Sequence, residues 1–272
     1  MGTQYGKKYD SDVAAYIKAV ESADQALLET SVRALYYNFI VGCKNDGIWN
    51  SIKASCLLGG ARTLNGALVP LVGNAPTNVN FISSDYNRKT GLVTDGTKYL
   101  NLGYNNNDTT NFPRDGSHAS VYIRENSVSF PGSGPHIILG AKAYTYEGSM
   151  GFQFGGASGY IVHNRTLSGL TYGYSTIISF VGTSKSTSAP SFIARRNREN
   201  TTSSISSNAT PSSGLYGVFG LGDGSFLYPS GLRISFYSLG RSLNLALLDA
   251  RISKFMSDLA KLNLWAFIIL LK

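Results

Sequence analysis

The carboxylates of this chain lack the spacing that glycan cleavage requires. A glycosidase uses two facing acids, and a β-strand presents such a pair from alternate positions, because side chains two residues apart point to the same face. The sequence contains no Glu-x-Asp-x-Glu run. Most acids of its β-rich part lie beside Gly, Asn or Ser, where turn formation accounts for them. These acids are Asp85, Asp95, Asp108, Asp115, Glu125, Glu147, Glu199 and Asp223. We predict that the chain is not an enzyme.

Histidine and cysteine positions give no metal site and no nucleophilic triad. His118, His136 and His163 have no ligand spacing with one another or with Cys43 and Cys56. A Gly-x-Ser-x-Gly elbow, a Walker A loop and a dinucleotide-binding Gly-x-Gly-x-x-Gly are also missing. We therefore predict no cofactor and two reduced, buried cysteines.

Two groups of side chains could bind a ligand rather than react with it. Arg195, Arg196 and Arg198 follow the apolar segment SFIA and could hold an acidic glycan or a phosphate. The alternative is a strand end that charge keeps soluble. Tyrosine rings can stack on sugar rings, although the same residues also suit half-buried strands. The candidate tyrosines are Tyr144, Tyr146, Tyr172 and Tyr174.

The overall charge favours an anionic partner without selecting one. A formal charge of +8 suits nucleic acid, acidic polysaccharide or a negatively charged particle surface. Nucleic acid is not predicted, because no stacking aromatics alternate with the arginines and no helix is basic along one face.

Apolar residues follow a helical period from Ser11 to about Gly60. Stripes over 13–20 and 28–39 predict two amphipathic helices, the first with Asp10 or Ser11 as its N-cap, and a third stretch is predicted over 48–56. Mutual packing of these stripes is favoured over docking to a partner, since short helices need tertiary cover.

The middle of the chain has the pattern of an antiparallel sandwich or jelly roll. After a connector over 61–80, short apolar or alternating segments are separated by Gly, Ser, Asn and Pro. The predicted strands are 119–124, 136–140, 150–154, 175–181, 190–194, 215–219 and 232–238.

A last helix follows these strands. Its apolar face comprises Leu245, Leu248, Ile252, Phe255, Met256 and Leu259, and its polar face comprises Asp249, Arg251, Lys254, Asp258 and Lys261. We predict three regions: a helical attachment region over 1–73, a sandwich over 74–241, and a C-terminal helix with an apolar tail over 242–272.

The two ends of the chain bear on its location. Residues 1–10 contain no apolar run typical of a secretory signal, so we expect the protein to fold in a cytoplasm. The apolar run over 264–271 is shorter than the roughly 20 residues of a membrane-spanning helix. Membrane insertion is not predicted, and such a run needs cover from a core or a neighbouring subunit.

Two segments of the chain resemble a known family. NFISSDYNRKTGLVTDGTKYLNLGYNN (80–106) and LRISFYSLGRSLNLALLDARISKFMSDL (232–259) resemble the opening and closing segments of concanavalin A-like, laminin-G-like domains in phage structural and tail-fibre proteins. The segment over 38–73 is similar to the helical lead-in before such domains. The matched pieces cover about a third of the chain, and the sequence departs from the familiar ending after Leu259.

The resemblance implies a mainly β, concanavalin A-like jelly-roll sandwich with helices at both ends. It further implies a non-catalytic virion protein, in a tail fibre or adhesin or in capsid decoration. Its expected partners are other virion proteins, copies of itself with a trimer favoured, and a host surface glycan. A glycan-cleaving enzyme on the same fold and a soluble lectin are the alternatives.

Laminin-G-like domains often hold one calcium ion with loop carboxylates. Asp95-Gly96 and Asp223-Gly224 could each contribute an oxygen ligand, and a turn explains each Asp-Gly pair equally well. Both explanations stay open, and no metal ion is predicted.

Overall fold

The computed structural model describes residues 10–126, 136–141, 150–155, 158–163, 170–173, 178–186, 191–206, 213–228 and 231–264. In this part of the chain the helices are α1 (Ser11–Asp24), α2 (Thr30–Asn45), α3 (Leu64–Ala67) and α4 (Leu245–Lys261). The strands are β1 (Ile52–Leu57), β2 (Thr77–Val79), β3 (Tyr86–Asn87), β4 (Gly91–Val93), β5 (Tyr99–Asn105), β6 (Ser117–Asn126), β7 (His136–Gly140), β8 (Met150–Gly155), β9 (Ser158–His163), β10 (Leu170–Gly173), β11 (Phe180–Ser184), β12 (Ser191–Arg196), β13 (Glu199–Ser206), β14 (Leu215–Val218) and β15 (Leu232–Arg241).

The strands form two antiparallel sheets that pack face to face. The first sheet has the order β13-β12-β11-β6-β15-β4-β3, with β1 also paired to β15, and the second has the order β10-β9-β8-β7-β14-β5-β2. Alternate residues of both sheets fill the space between them, including Val121, Val181 and Leu239 from the first and Leu100 and Val218 from the second. The predicted mainly β, two-sheet sandwich with helices near both ends of the chain is confirmed.

A layer of helices covers the outer face of the first sheet. Asp10 caps α1 by accepting hydrogen bonds from the backbone N–H groups of Asp12 and Val13, as predicted. The stripes of α1, α2 and α4 meet in one apolar cluster, in which the ring centroid of Phe39 lies 5.9 Å from those of Phe236 and Phe255. The prediction of mutual packing is therefore confirmed.

The predicted third helical stretch over 48–56 is wrong. Ile52–Leu57 forms β1, which pairs antiparallel with β15. The spacing of Ile48, Ile52 and Cys56 imitates a helical period, but the nine residues over 48–56 are too few to sustain an isolated helix. Pairing with β15 gives their backbone groups partners instead, and Ser55 adds a 2.8 Å hydrogen bond from its hydroxyl to the Tyr237 carbonyl.

Strand β15 joins the predicted attachment region to the predicted sandwich. It pairs with β6 and β4 of the sandwich and with β1, which lies in the region 1–73. Nine of its ten residues are largely or fully withdrawn from solvent, as expected for a strand covered on both faces. The division at 73 and 241 into separate domains stays a prediction.

Gly91 permits a close approach of β4 to β15, and we expect its replacement to be costly. Its φ is +94°, and an added Cβ would lie 2.7 Å from the Ser235 Cα. Gly91→Ala should lower the free energy of unfolding by about 2–3 kcal/mol, from a left-handed backbone and from overpacking together. Gly103 is the matched control, because its φ is +70° and nothing lies within 4 Å of an added Cβ. Equal losses in urea unfolding for Gly91→Ala and Gly103→Ala would contradict the packing argument.

Candidate functional site

The predicted ligand-binding residues fall in different parts of the molecule. Tyr144, Tyr146 and Tyr174 lie outside the described residues. Tyr172 lies in β10, at one edge of the second sheet, whereas the three arginines lie in or directly after β12 of the first sheet. The contact of the tyrosines with a sugar stays a prediction.

The arginine cluster is the tip of a β-hairpin. Arg196 pairs with Glu199, so Asn197 and Arg198 form a two-residue connection between β12 and β13. Both have positive φ, 52° and 66°, which is the requirement of a type I′ turn. Asn tolerates a left-handed backbone, but the same conformation is strained for Arg198. The Arg198 side chain is exposed. Arg198 is therefore a turn residue with a strained backbone and an exposed side chain.

Replacing Arg198 by glycine should stabilise the protein. Asn-Gly is the preferred sequence for this turn, and relief of the left-handed conformation should raise the free energy of unfolding by about 1 kcal/mol. Arg198→Ala is the matched control, because it removes the same charge and keeps the strain. Urea unfolding should place Arg198→Gly above both the parent protein and Arg198→Ala. Equal midpoints for the two variants would rule out the turn as the cause.

Arg195 connects the sandwich to α4 rather than projecting into solvent. Its Nε donates a hydrogen bond of 2.7 Å to Asp249 Oδ2, and its Nη1 donates one of 2.9 Å to Asn200 Oδ1. The side chains of Arg195 and Asp249 are only 12% and 3% exposed. The sequence placed Asp249 on the polar face of the last helix, and this prediction is wrong because Arg195 compensates its burial. The guanidinium of Arg195 is committed to a structural ion pair.

Several acids of the described sandwich are held by cations or by turn backbone. Lys98 Nζ lies 2.8 Å from carboxylate oxygens of both Asp85 and Asp95. The hydrogen bond from Lys98 lowers the pKa of Asp95 to about 2, with help from Thr97. A general acid for glycoside hydrolysis needs a raised pKa. Asp85 and Asp95 are therefore bridged by the ammonium of Lys98 in an ion-pair cluster, and the lowered pKa of Asp95 does not suit a general acid.

The carboxylates of the two candidate calcium ligands, Asp95 and Asp223, already have partners within the chain. The ammonium of Lys98 takes the place beside Asp95 that a cation would take, and Asp223 Oδ1 accepts hydrogen bonds from the backbone N–H and hydroxyl of Ser225 within its own turn. In the part of the chain that the structure describes, no three His, Cys, Asp or Glu side chains group as metal ligands.

Two histidines are buried in polar surroundings that sequence reasoning did not anticipate. His163 of β9 lies between the sheets, with Nε2 3.2 Å from Ser117 Oγ and Nδ1 3.1 Å from Thr183 Oγ1. Burial, with the nearby positive charge of Lys185 second, lowers the pKa of His163 to about 3. Because His163 is fully buried, the Ser117–His163 contact is closed to a substrate and acts as a polar bridge between the sheets.

His118 forms a second polar bridge on the opposite face of β6. Its Nε2 lies 2.8 Å from Ser238 Oγ and its Nδ1 lies 2.6 Å from the Arg241 carbonyl. Burial lowers the pKa of His118 to about 4, so the ring is neutral at pH 7. Neither histidine offers a proton donor to solvent.

Among the described helices, none combines the length and apolarity of a bilayer span.

With this geometry established, comparison with known proteins defines the class of the fold. No family model matches the sequence, and no curated protein is similar to it. The structure is similar to the binding domain of botulinum neurotoxin serotype D, with 15% sequence identity, a TM-score of 0.50, and coverage of 75% of this chain and 51% of that one. A second structure of this kind, the HCR/D F1240A mutant, gives the same values.

A sialidase of Trypanosoma rangeli is also similar, with 9% identity, a TM-score of 0.49, and coverage of 82% of this chain and 39% of that one. The chain spans about half the length of the binding-domain structures that it matches. At such low identity the likeness concerns the fold alone. The protein is a lectin-like antiparallel β-sandwich.

Proposed function

We propose that this chain is a non-catalytic component of a bacteriophage particle, which displays its lectin-like sandwich on the particle surface. It belongs either to a tail fibre or adhesin or to the capsid decoration. The observation that carries the proposal is the adjacency of the three segments that resemble such phage proteins.

These segments come together although they are far apart in the sequence. The lead-in over 38–73 supplies β1, the opening segment over 80–106 supplies β3, β4 and β5, and the closing segment over 232–259 supplies β15 and most of α4. In the first sheet β15 pairs with β1 and β4, and β4 pairs with β3. Strands β1, β3, β4 and β15 from these segments thus lie together in the first sheet, while β5 lies in the second. The pairing of the lead-in, opening and closing segments in one sheet supports their descent from one structural unit.

The pKa values of the acids and buried histidines support a binding role rather than catalysis. The described acids with lowered pKa values are held as carboxylates, as Lys98 holds Asp95, and the buried histidines are held neutral. Catalytic sites instead tune such groups towards the working pH. Glu147 lies outside the described residues.

Attachment to the particle would use surfaces other than the apolar helix stripes, because those stripes are buried on the chain's own first sheet. We propose that copies of the chain associate, with a trimer favoured, and that other virion proteins hold them. The protein would be made in the host cytoplasm, and a host surface glycan would be its external ligand.

The proposal is tested by finding the chain in particles. Virions purified by density gradient should contain this protein at a fixed ratio to the major coat protein, measured by quantitative mass spectrometry. A mock preparation from uninfected host cells is the control. Absence of the chain from infectious particles would end the proposal.

The alternatives give different results in solution. A glycan-cleaving enzyme of this fold would release new reducing ends from host polysaccharide. A soluble lectin outside any virion would be a monomer with saturable glycan binding, so trimers or larger assemblies in light scattering would count against it.

A further inference from the structure

A groove whose described lining residues are all uncharged lies where α4 begins, beside the hairpin of β12 and β13. It has a volume of about 310 Å³ and is bordered by the end of β11, the exposed face of β12 and the segment before α4. This volume is at the lower end of the roughly 300–1,000 Å³ of small-ligand sites, which suits the end of a glycan rather than a long chain.

The floor of the groove is rigidly built. Ser184 Oγ donates a 3.0 Å hydrogen bond to the Leu243 carbonyl and accepts one of 3.2 Å from the Leu243 N–H. Leu245 is 3% exposed and packs so close to Gly182 that an added Cβ there would lie 2.8 Å from its Cδ2. Asn244 caps α4 through Oδ1. These contacts hold the floor of the groove in place without a ligand.

The lining offers hydrogen-bonding groups without a partner in the part of the chain that the structure describes. The hydroxyls of Ser186, Ser191 and Ser242 make no side-chain hydrogen bond to the rest of the described structure. Asn200 and Asn244 use their amide oxygens, to Arg195 and to the helix cap, which leaves their NH₂ groups as donors. Donors and acceptors that line one groove can bond the hydroxyls of a sugar.

An apolar surface completes the groove. Ile193 is 41% exposed, although its neighbours Phe192 and Ala194 on the other face of β12 are buried in the core. Leu243 adds a second, partly buried apolar side chain to the lining. A sugar ring has an apolar C–H face as well as hydroxyls, and a site for it combines both kinds of contact.

We propose that this groove binds the terminus of a neutral glycan. A neutral ligand is favoured over an acidic one because none of the described residues that line the groove is charged. Arg195, which contacts the lining residue Asn200, has its guanidinium bound to Asp249 and Asn200. The proposal rests on the glycan-binding part of the proposed function and gives it a location that the predicted arginines and tyrosines do not include.

The test compares Ile193→Lys with Leu215→Lys. Leu215 is 37% exposed on β14 of the other sheet, so the second variant makes the same change away from the groove. The probe is a bacterial glycan array with neutral and acidic members, followed by titration of the neutral glycans that the parent protein binds. Ile193→Lys should weaken that binding about tenfold or more, with an unchanged thermal midpoint, and Leu215→Lys should bind like the parent.

Three results would contradict glycan binding in this groove. They are an affinity of Ile193→Lys equal to that of the parent, equal losses of affinity in both variants, and a parent protein that binds only acidic glycans or no glycan. Ser242→Trp, which fills the groove without adding charge, should give the same loss and repeats the test independently. The particle analysis by mass spectrometry is a separate outcome, so a virion protein without this glycan site remains distinguishable from a protein that is absent from virions.

Discussion

Asp249→Ala is expected to lower the free energy of unfolding by about 3–5 kcal/mol. The substitution leaves the guanidinium of Arg195, which is 12% exposed, without its carboxylate partner at 2.7 Å. Removing one member of a buried ion pair is far more costly than the net value of the pair, because the remaining charge stays desolvated. The hydroxyl of Ser253, which donates a 2.9 Å hydrogen bond to Asp249 Oδ1, also loses its acceptor.

The matched control lies further along α4, on its exposed side. Lys254 and Asp258 form an i,i+4 pair with an N–O distance of 2.7 Å, and the lysine side chain is 67% exposed. Lys254→Ala should change stability by no more than about 0.5 kcal/mol. The double variant Arg195→Met with Asp249→Leu should recover most of the loss, since an apolar pair needs no desolvation of charge. Urea unfolding followed by circular dichroism measures all three variants. Similar losses in Asp249→Ala and Lys254→Ala would disprove the buried-pair account.

The sequence could predict Leu248, Ile252 and Phe255 as the buried face of α4, because one helical period places them together. It could not predict Asp249, which lies on the edge of that face and is buried only because Arg195 arrives from 54 residues away. Periodicity describes one element at a time and contains no information on a distant charge.

Strands without a strong period escaped prediction for a similar reason. Glu199–Ser206 has the sequence ENTTSSIS and forms β13 at the edge of the first sheet, where its exposed residues need no apolar alternation. Ile52–Leu57 has enough apolar residues, but a run this short fits a helix and a strand equally well. In both cases the partner strand, rather than the segment's own residues, decides the conformation.

The groove beside α4 could not be predicted from sequence either. Ser186, Ser191 and Ser242 are common surface residues, and neither their types nor their spacing distinguishes them from the other serines of the chain. Their meeting depends on the hydrogen bonds between Ser184 and Leu243 that join β11 to the start of α4. The arginines had a conspicuous pattern, yet the structure commits Arg195 to folding.

The protein should lose stability steeply between pH 6.5 and pH 4.5. His118 and His163 have pKa values of about 4 and about 3 in the folded chain, because burial opposes their charged forms. Both titrate near the ordinary 6.5 when unfolded, so the unfolded state binds more protons in this window and stability falls as the pH falls. Each histidine should contribute a loss of about 2 kcal/mol over the window, since one pKa unit corresponds to about 1.4 kcal/mol.

Urea midpoints at pH 7.0, 5.5 and 4.5 and constant ionic strength measure this loss. His118→Gln can keep hydrogen bonds to Ser238 and Arg241 but cannot titrate, so its pH dependence should be about half that of the parent. The carboxylates do not imitate the effect, because their lowered pKa values, such as about 2 for Asp95, place their contribution below pH 4.5. A parent protein with equal midpoints at pH 7.0 and 4.5 would mean that these rings are charged or exposed in the folded state, and that the polar bridges on the two faces of β6 do not exist as described.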